Sequence, residues 1–312
     1  MRTTFCPIAH LAPHSGGASS ERSAQESLVE EQADRILRAI TDDGAFRVVA
    51  VRMTDTAQGA INAQAAEGDT AATLGEILCA AVLVRETMAP DYRLQMILKD
   101  SVGNHVVGDA HPKGRTRGLV NVASEATGLL LGDDSVLQVI RMLPNHEIHQ
   151  GIVNAGLGEG VGGAVMTYLQ QSEQVTSMVG IQCVVQGDRV VAAGGYVVQL
   201  LPEVTEAPLA IMTERLEEFR DIKQLLIDTN ANPEHMVSEL LYGFPHTQLA
   251  DSPVGFHCAC DASRVVGAMA TLGREELSQL IEDKEVVEVS CDYCAKVYEV
   301  GPEQFRTLLD TN

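Results

Sequence analysis

The spacing of apolar residues changes character several times along this 312-residue chain. Phe46–Met53 and Leu94–Leu98 are short apolar, partly β-branched runs and predict strands. Thr73–Met88 is almost continuously apolar over a length that strands rarely reach, is rich in Ala and Leu, and runs into Pro90. It predicts a buried helix, with Cys79 as a small core residue. Leu129–Leu131, Gly132-Asp133-Asp134 and Val136–Leu143 read as one hairpin; Val179–Val185, Gln186-Gly187-Asp188 and Arg189–Leu201 read as another. Ala164–Gln171 reads as a short helix between them. Hairpins joined to a few helices predict an α+β core domain over residues 31–202, with a mixed or largely antiparallel sheet and packing helices.

Beyond Pro202 the pattern shifts. Residues 203–253 hold ten acidic side chains against three basic ones, and Met212, Leu216, Phe219, Ile222 and Leu226 recur at helical spacing. Asn232-Pro233-Glu234 offers an N-cap, a proline at the first helical position and a first-turn acid, with Gly243 as a stop. These residues predict a helical linker of two short amphipathic helices. Its stripe either docks permanently on the core or undocks to expose an apolar face. Residues 1–30 are poor in large apolar side chains and predict a disordered extension. Cys6, His10 and His14 lie there four apart, but Pro7 and Pro13 oppose a helix, and two or three ligands do not close a zinc site.

Charge narrows the function classes. With 22 Lys+Arg against 43 Asp+Glu the formal charge is −21, which opposes phosphate backbones and argues for no nucleic-acid partner. No run reaches the roughly 18 apolar residues of a membrane span, and the first residues lack a secretory pattern. A cytoplasmic protein with no membrane partner is the expectation. Two motifs are decoys. Gly158-Glu159-Gly160-Val161-Gly162-Gly163 fits a dinucleotide fingerprint, yet a short helix and a hairpin follow it instead of a β-α-β unit, so it reads as a flexible loop entering a helix. His146-Glu147-Ile148-His149 lacks the i, i+4 histidine spacing of a zinc-protease helix.

Seven cysteines in a reducing compartment point to metal or redox chemistry in place of a disulfide framework. Cys6, Cys79 and Cys183 are scattered, whereas Cys258-Ala259-Cys260 and Cys291-Asp292-Tyr293-Cys294 form C-x-C and C-x-x-C pairs. Two close pairs of thiolates can surround one zinc per chain tetrahedrally, and four cysteines leave no open position for a catalytic water. No catalytic residue and no enzymatic activity are expected. Between the pairs, Arg274–Glu282 predicts a helix with Leu277, Leu280 and Ile281 on one side, and Val286–Val289 predicts a strand. A unit of about sixty residues, 254–312, is marginal on its apolar core alone, and metal commonly supplies the deficit. Each cysteine also has a resolving partner nearby, so oxidation to disulfides would strip zinc of its ligands. His257 reads as incidental, and Arg264 and Lys296 as solvent-facing. A fixed zinc-stabilised interaction module and a dithiol oxidoreductase using Cys291 and Cys294 are the competing readings; the second needs a thioredoxin-like context that does not surround Cys291.

With these residues in view, the sequence resembles the redox-regulated chaperones of the 33-kDa heat-shock family. The likeness rests on the two cysteine pairs, Arg264, Glu275-Glu276-Leu277 and Tyr298, and in the core on Gly194–Pro202 and on Tyr168 with Ser172-Glu173-Gln174. It runs from about Asp34 to the C-terminus. Asp261 stands where a serine is common in that family, and Cys6 is an additional thiol. The resemblance implies a cytoplasmic holdase that is inactive while Cys258, Cys260, Cys291 and Cys294 hold zinc. Oxidation would form Cys258–Cys260 and Cys291–Cys294 disulfides and loosen the linker. The protein would then dimerise and bind unfolded or partly folded client proteins.

Overall fold

The computed structural model describes residues 33–123, 128–156, 160–219, 221–269, 272–284 and 286–311; Cys6, His10 and His14 lie outside them. β1 (Arg35–Thr41) and β2 (Phe46–Arg52) form a hairpin, followed by α1 (Thr54–Gln64) and α2 (Gly68–Glu86). β3 (Arg93–Lys99), β4 (His105–Ala110) and β5 (Arg115–Asn121) make a meander, joined by β6 (Val136–Met142) and β7 (Ile148–Asn154). α3 (Gly160–Gln171) leads to β8 (Ser177–Gln186) and β9 (Arg189–Leu200). Three helices, α4 (Glu206–Glu218), α5 (Lys223–Asp228) and α6 (Pro233–Leu240), precede β10 (His246–Pro253) and β11 (Gly255–Phe256). The C-terminal unit comprises α7 (Ala262–Ala268), α8 (Arg274–Glu282), β12 (Val287–Ser290), β13 (Val297–Val300) and α9 (Pro302–Thr311).

Two large sheets result, ordered β10-β1-β2-β9-β8 and β11-β5-β4-β3-β6-β7, with β12-β13 as a separate ribbon. Their pairings are antiparallel except for the short parallel contact of β11 with β5. The fold is therefore α+β, as the hairpin pattern predicted. α2 lies between the two large sheets, packing on β3, β4 and β5 on one side and on β8 and β9 on the other. Its residues explain the position: every side from Ile77 to Glu86 is buried, and a helix apolar all round has no face to give to water. Close approach needs small residues. A Cβ on Gly108 of β4 would sit 2.5 Å from the carbonyl oxygen of Ile77, and one on Gly75 would sit 2.3 Å from Cys183 Sγ. Cys79 is fully buried in this core.

The structure departs from the sequence pattern in three places. Leu129–Leu131 forms no strand; β6 pairs instead with β3 and with β7. Leu129 and Leu131 are anchors that pack on the core, and Gly132-Asp133-Asp134 closes onto Ser135, whose Oγ accepts from the Gly132 N–H at 2.8 Å. The β6–β7 turn contains His146 at φ 66°, with Asn145 Oδ1 capping the Glu147 N–H, so His146–His149 spans a turn and a strand start. The second hairpin forms as read, closed by Gly187 at φ 63° and Asp188.

The glycine run is the second departure. Gly160, Gly162 and Gly163 belong to α3 itself and do not form a loop before it, while 157–159 fall outside the described residues. α3 packs on β8, where a Cβ on Gly162 would press within 3.2 Å of the Val179 carbonyl oxygen.

The third is the linker, which holds three helices and then a strand. α4 ends at Glu218, and Asp221 Oδ1 accepts from the Lys223 N–H at 3.0 Å where α5 begins. Asn232 caps α6 by accepting from the His235 N–H. β10 adds to the edge of β1. Met212, Leu216, Ile222, Leu226, Met236, Val237, Leu240 and Leu241 are buried against Phe46, Val48, Tyr196 and Val198, on the face of the five-stranded sheet that points away from α2. The Tyr196 hydroxyl donates to the Phe219 carbonyl at 3.1 Å. The stripe is thus docked. Among the described residues no helix is long and apolar enough to cross a membrane.

Candidate metal centre

β11 lies parallel to β5, and the His257 N–H donates to the Thr116 carbonyl at 2.8 Å, so the C-x-C pair begins one residue beyond a sheet contact. Asp261 ends that loop by capping α7 through the Arg264 N–H, which gives a physical role to the residue where a serine is common. The second pair sits in a tight turn between β12 and β13. The Cys291 N–H donates to the Lys296 carbonyl, the Ala295 N–H donates back to the Cys291 carbonyl, and Ala295 takes φ 55°. This knuckle turns both sulfurs to one side.

The four sulfurs of Cys258, Cys260, Cys291 and Cys294 lie within 4.8 Å of one another. Zinc–sulfur bonds of about 2.3 Å in a tetrahedron place sulfurs about 3.8 Å apart. The observed Cys258–Cys291 and Cys260–Cys294 separations are 3.7 and 3.3 Å, so the donor set and its spacing fit a tetrahedral thiophilic ion. Both of these contacts cross between the two motifs. The Tyr298 hydroxyl lies 3.1 Å from Cys260 Sγ and hydrogen-bonds it, which draws that thiol down to about 7. Burial pushes Cys294 up to about 12 and raises Cys258.

Of the neighbours singled out in the sequence, His257 is exposed and contributes its backbone. Exposed Arg264 donates to the Ala259 carbonyl at 2.8 Å and steadies the C-x-C loop; Lys296 lies over the Tyr298 ring. Cys79 and Cys183 are buried far down in the core, where burial raises both thiols. Local sequence pattern does not mark the residues of the main body that meet the centre. Arg117 of β5 stacks over the Tyr293 ring at 3.9 Å and points Nη1 at Cys258 Sγ, 3.7 Å away. Gln64 of α1 donates to the carbonyls of Asp292 (2.7 Å) and Tyr293 (3.1 Å), and Gln95 of β3 donates to the Tyr293 hydroxyl. Only tertiary packing of helix and strands brings these residues together, so no local spacing marks them.

The C-terminal unit has a small core of its own. Val265, Leu277, Val300, Phe305 and Leu308 are buried together, with Leu280 and Ile281 of α8 packed partly against them. A two-sheet α+β body followed by a small unit built around four convergent thiols defines an α+β protein with a C-terminal four-cysteine cluster that could hold a metal ion. The family model of the Hsp33 protein matches residues 34–301. A 33 kDa chaperonin of Syntrophotalea carbinolica is 30% identical over 290 residues, covering 88% of this chain and 99% of its own. One from Bacillus cereus is 30% identical over 295 residues, with 89% and 99% covered. The chain belongs to the Hsp33 family, a family of chaperones. The crystal structure of a 33 kDa chaperonin from Thermotoga maritima shares the fold, with a TM-score of 0.76 at 22% identity over 89% of this chain and 98% of that one.

Proposed function

We propose that this chain is a redox-regulated holdase of the cytoplasm. In its reduced form Cys258, Cys260, Cys291 and Cys294 hold one zinc, and their oxidation switches on the binding of unfolded or partly folded proteins. The observation that carries the reading is the convergence of four sulfurs in a unit with five fully packed apolar side chains. Bound zinc would contribute structural energy on the order of 10–16 kcal/mol, comparable to the whole stability of a domain.

Each oxidation balances with peroxide as the oxidant. A thiolate attacks the O–O bond to give a sulfenic acid and hydroxide; a neighbouring thiol then attacks that sulfur, forming the disulfide and releasing water. Two such events consume two peroxides and leave no thiolate in the tetrad. The adjacency of residues within each motif supports Cys258–Cys260 and Cys291–Cys294 as the products. With its tether gone the C-terminal unit would unfold, the docked stripe of α4–α6 would loosen, and the exposed apolar face would serve clients and a second copy of the chain. The four-thiol site has no open coordination position, which supports a non-enzymatic role.

The test couples two measurements on one sample. Reduced protein should contain one zinc per chain and fail to suppress aggregation of a heat-denatured client; after peroxide with mild heat it should have lost the zinc and suppress aggregation, with peptide mapping showing the two within-motif disulfides. Zinc retained after oxidation, or no gain in suppression, would refute the reading.

A further inference from the structure

We propose that Arg117 is the positioning residue of the sulfur centre: held by the six-stranded sheet, it orients the C-x-x-C turn and supports the negative charge of Cys258. The inference rests on the reading that the tetrad holds zinc. Three contacts converge on this guanidinium. Nε donates to Asp109 Oδ2 at 2.9 Å, Nη1 reaches Cys258 Sγ at 3.7 Å, and the plane stacks over Tyr293 at 3.9 Å. A planar, permanently charged fork can serve an acid, a sulfur and a ring at once, which a lysine cannot.

The support behind Arg117 is built into the sheet. Asp109 on β4 is directly opposite Arg117 on β5 and is fully buried. It also accepts from both Nε and Nη2 of Arg93 at 2.7 Å and faces His111 Nε2 at 3.1 Å. Burial opposes its charge, but hydrogen bonds from His111 and Arg93 outweigh it and hold the carboxyl well below the usual range. Asp109 therefore fixes Arg117, and Arg117 fixes the centre. Side chains that orient metal ligands typically matter 10–100-fold to metal affinity. Removal of Arg117 leaves Asp109 with Arg93 and His111 as partners, so the sheet keeps its buried charge paired.

The experiment uses the full-length, reduced, zinc-loaded chain. In competition with a chromogenic chelator, R117Q should surrender zinc about 10-fold or more readily than the unmodified chain, and R117K should recover part of the loss. Cobalt-loaded R117Q should show shifted thiolate-to-cobalt charge-transfer bands, because the hydrogen bond to Cys258 is gone. R306Q, at an exposed arginine paired with Glu303 on α9, should show neither change. Y293L, which removes the stack while leaving the Arg117–Asp109 pair intact, should weaken zinc retention without moving those bands. Unchanged retention and bands in R117Q, or equal effects in R306Q, would overturn the proposal. An unmodified chain that binds no zinc would instead sink the reading beneath it.

Discussion

The linker helices and the C-terminal unit both leave the main body, yet different physics holds them. α4–α6 bury eight large side chains in a cluster shared with the five-stranded sheet. Each such burial is worth roughly 1.5–3 kcal/mol. The C-terminal unit packs five buried apolar residues among themselves. Among the described residues its ties to the body include a two-residue strand, whose Phe256 packs on the main core, and polar contacts from Gln64, Gln95 and Arg117. The first region is held by area; the second, on the proposed reading, is held by coordination geometry. A thiol oxidant can therefore act on the second while the contacts of the first remain chemically intact.

The contrast breaks most visibly if metal is removed. Chelation of the reduced protein, or C291S, should unfold residues beyond about 257 while the two-sheet body persists, because zinc energy of about 10–16 kcal/mol has no substitute in so small a core. Limited proteolysis with mass mapping would read this as rapid cuts after β11 and a protected fragment before it. Protection of the C-terminal unit without metal would erase the distinction. A smaller effect is expected from L226A. Leu226 is fully buried under the sheet, so truncation should cost about 2–5 kcal/mol in urea unfolding of the body and leave zinc content unchanged.

The smallest effect concerns pH. Burial raises Glu76 from 4.5 to about 7, and Gln182 is its hydrogen-bond donor at 2.8 Å. The folded body keeps a proton that the unfolded chain releases, so stability falls as pH rises from about 4.5 to 7 and then levels. At about 1.4 kcal/mol per pKa unit this amounts to at most about 3.5 kcal/mol. E76Q should flatten that profile, matching the unmodified chain near pH 5 and exceeding it at pH 8 in thermal or urea melts. A profile that keeps its slope would place the titration elsewhere.

What could be seen in the sequence was what depends on neighbours in the chain. The cysteine pairs, the all-round apolar α2 and the Asn232 cap are local patterns, and each appears where it was read. Leu129–Leu131 misled because apolar anchors of a loop look the same as a short strand. β10 was invisible because His246–Pro253 has little apolar alternation; the free edge of β1 specifies it. Arg117 could not be singled out for the same reason. Its meaning comes from lying opposite Asp109 across β4 and β5, a register that no spacing along the chain encodes.

β9 ends at Leu200 and β10 begins at His246, and both are strands of one sheet. The helices between them form a belt fastened at both ends, about forty-five residues long. If the belt slackens, it stays threaded: its ends remain close in space, and loop closure grows by only about 0.6 kcal/mol for each doubling of length. Rewinding is then an intramolecular event, with no search for the surface it left. β10 is the buckle: paired with β1, it joins the helices to the segment that carries the thiols.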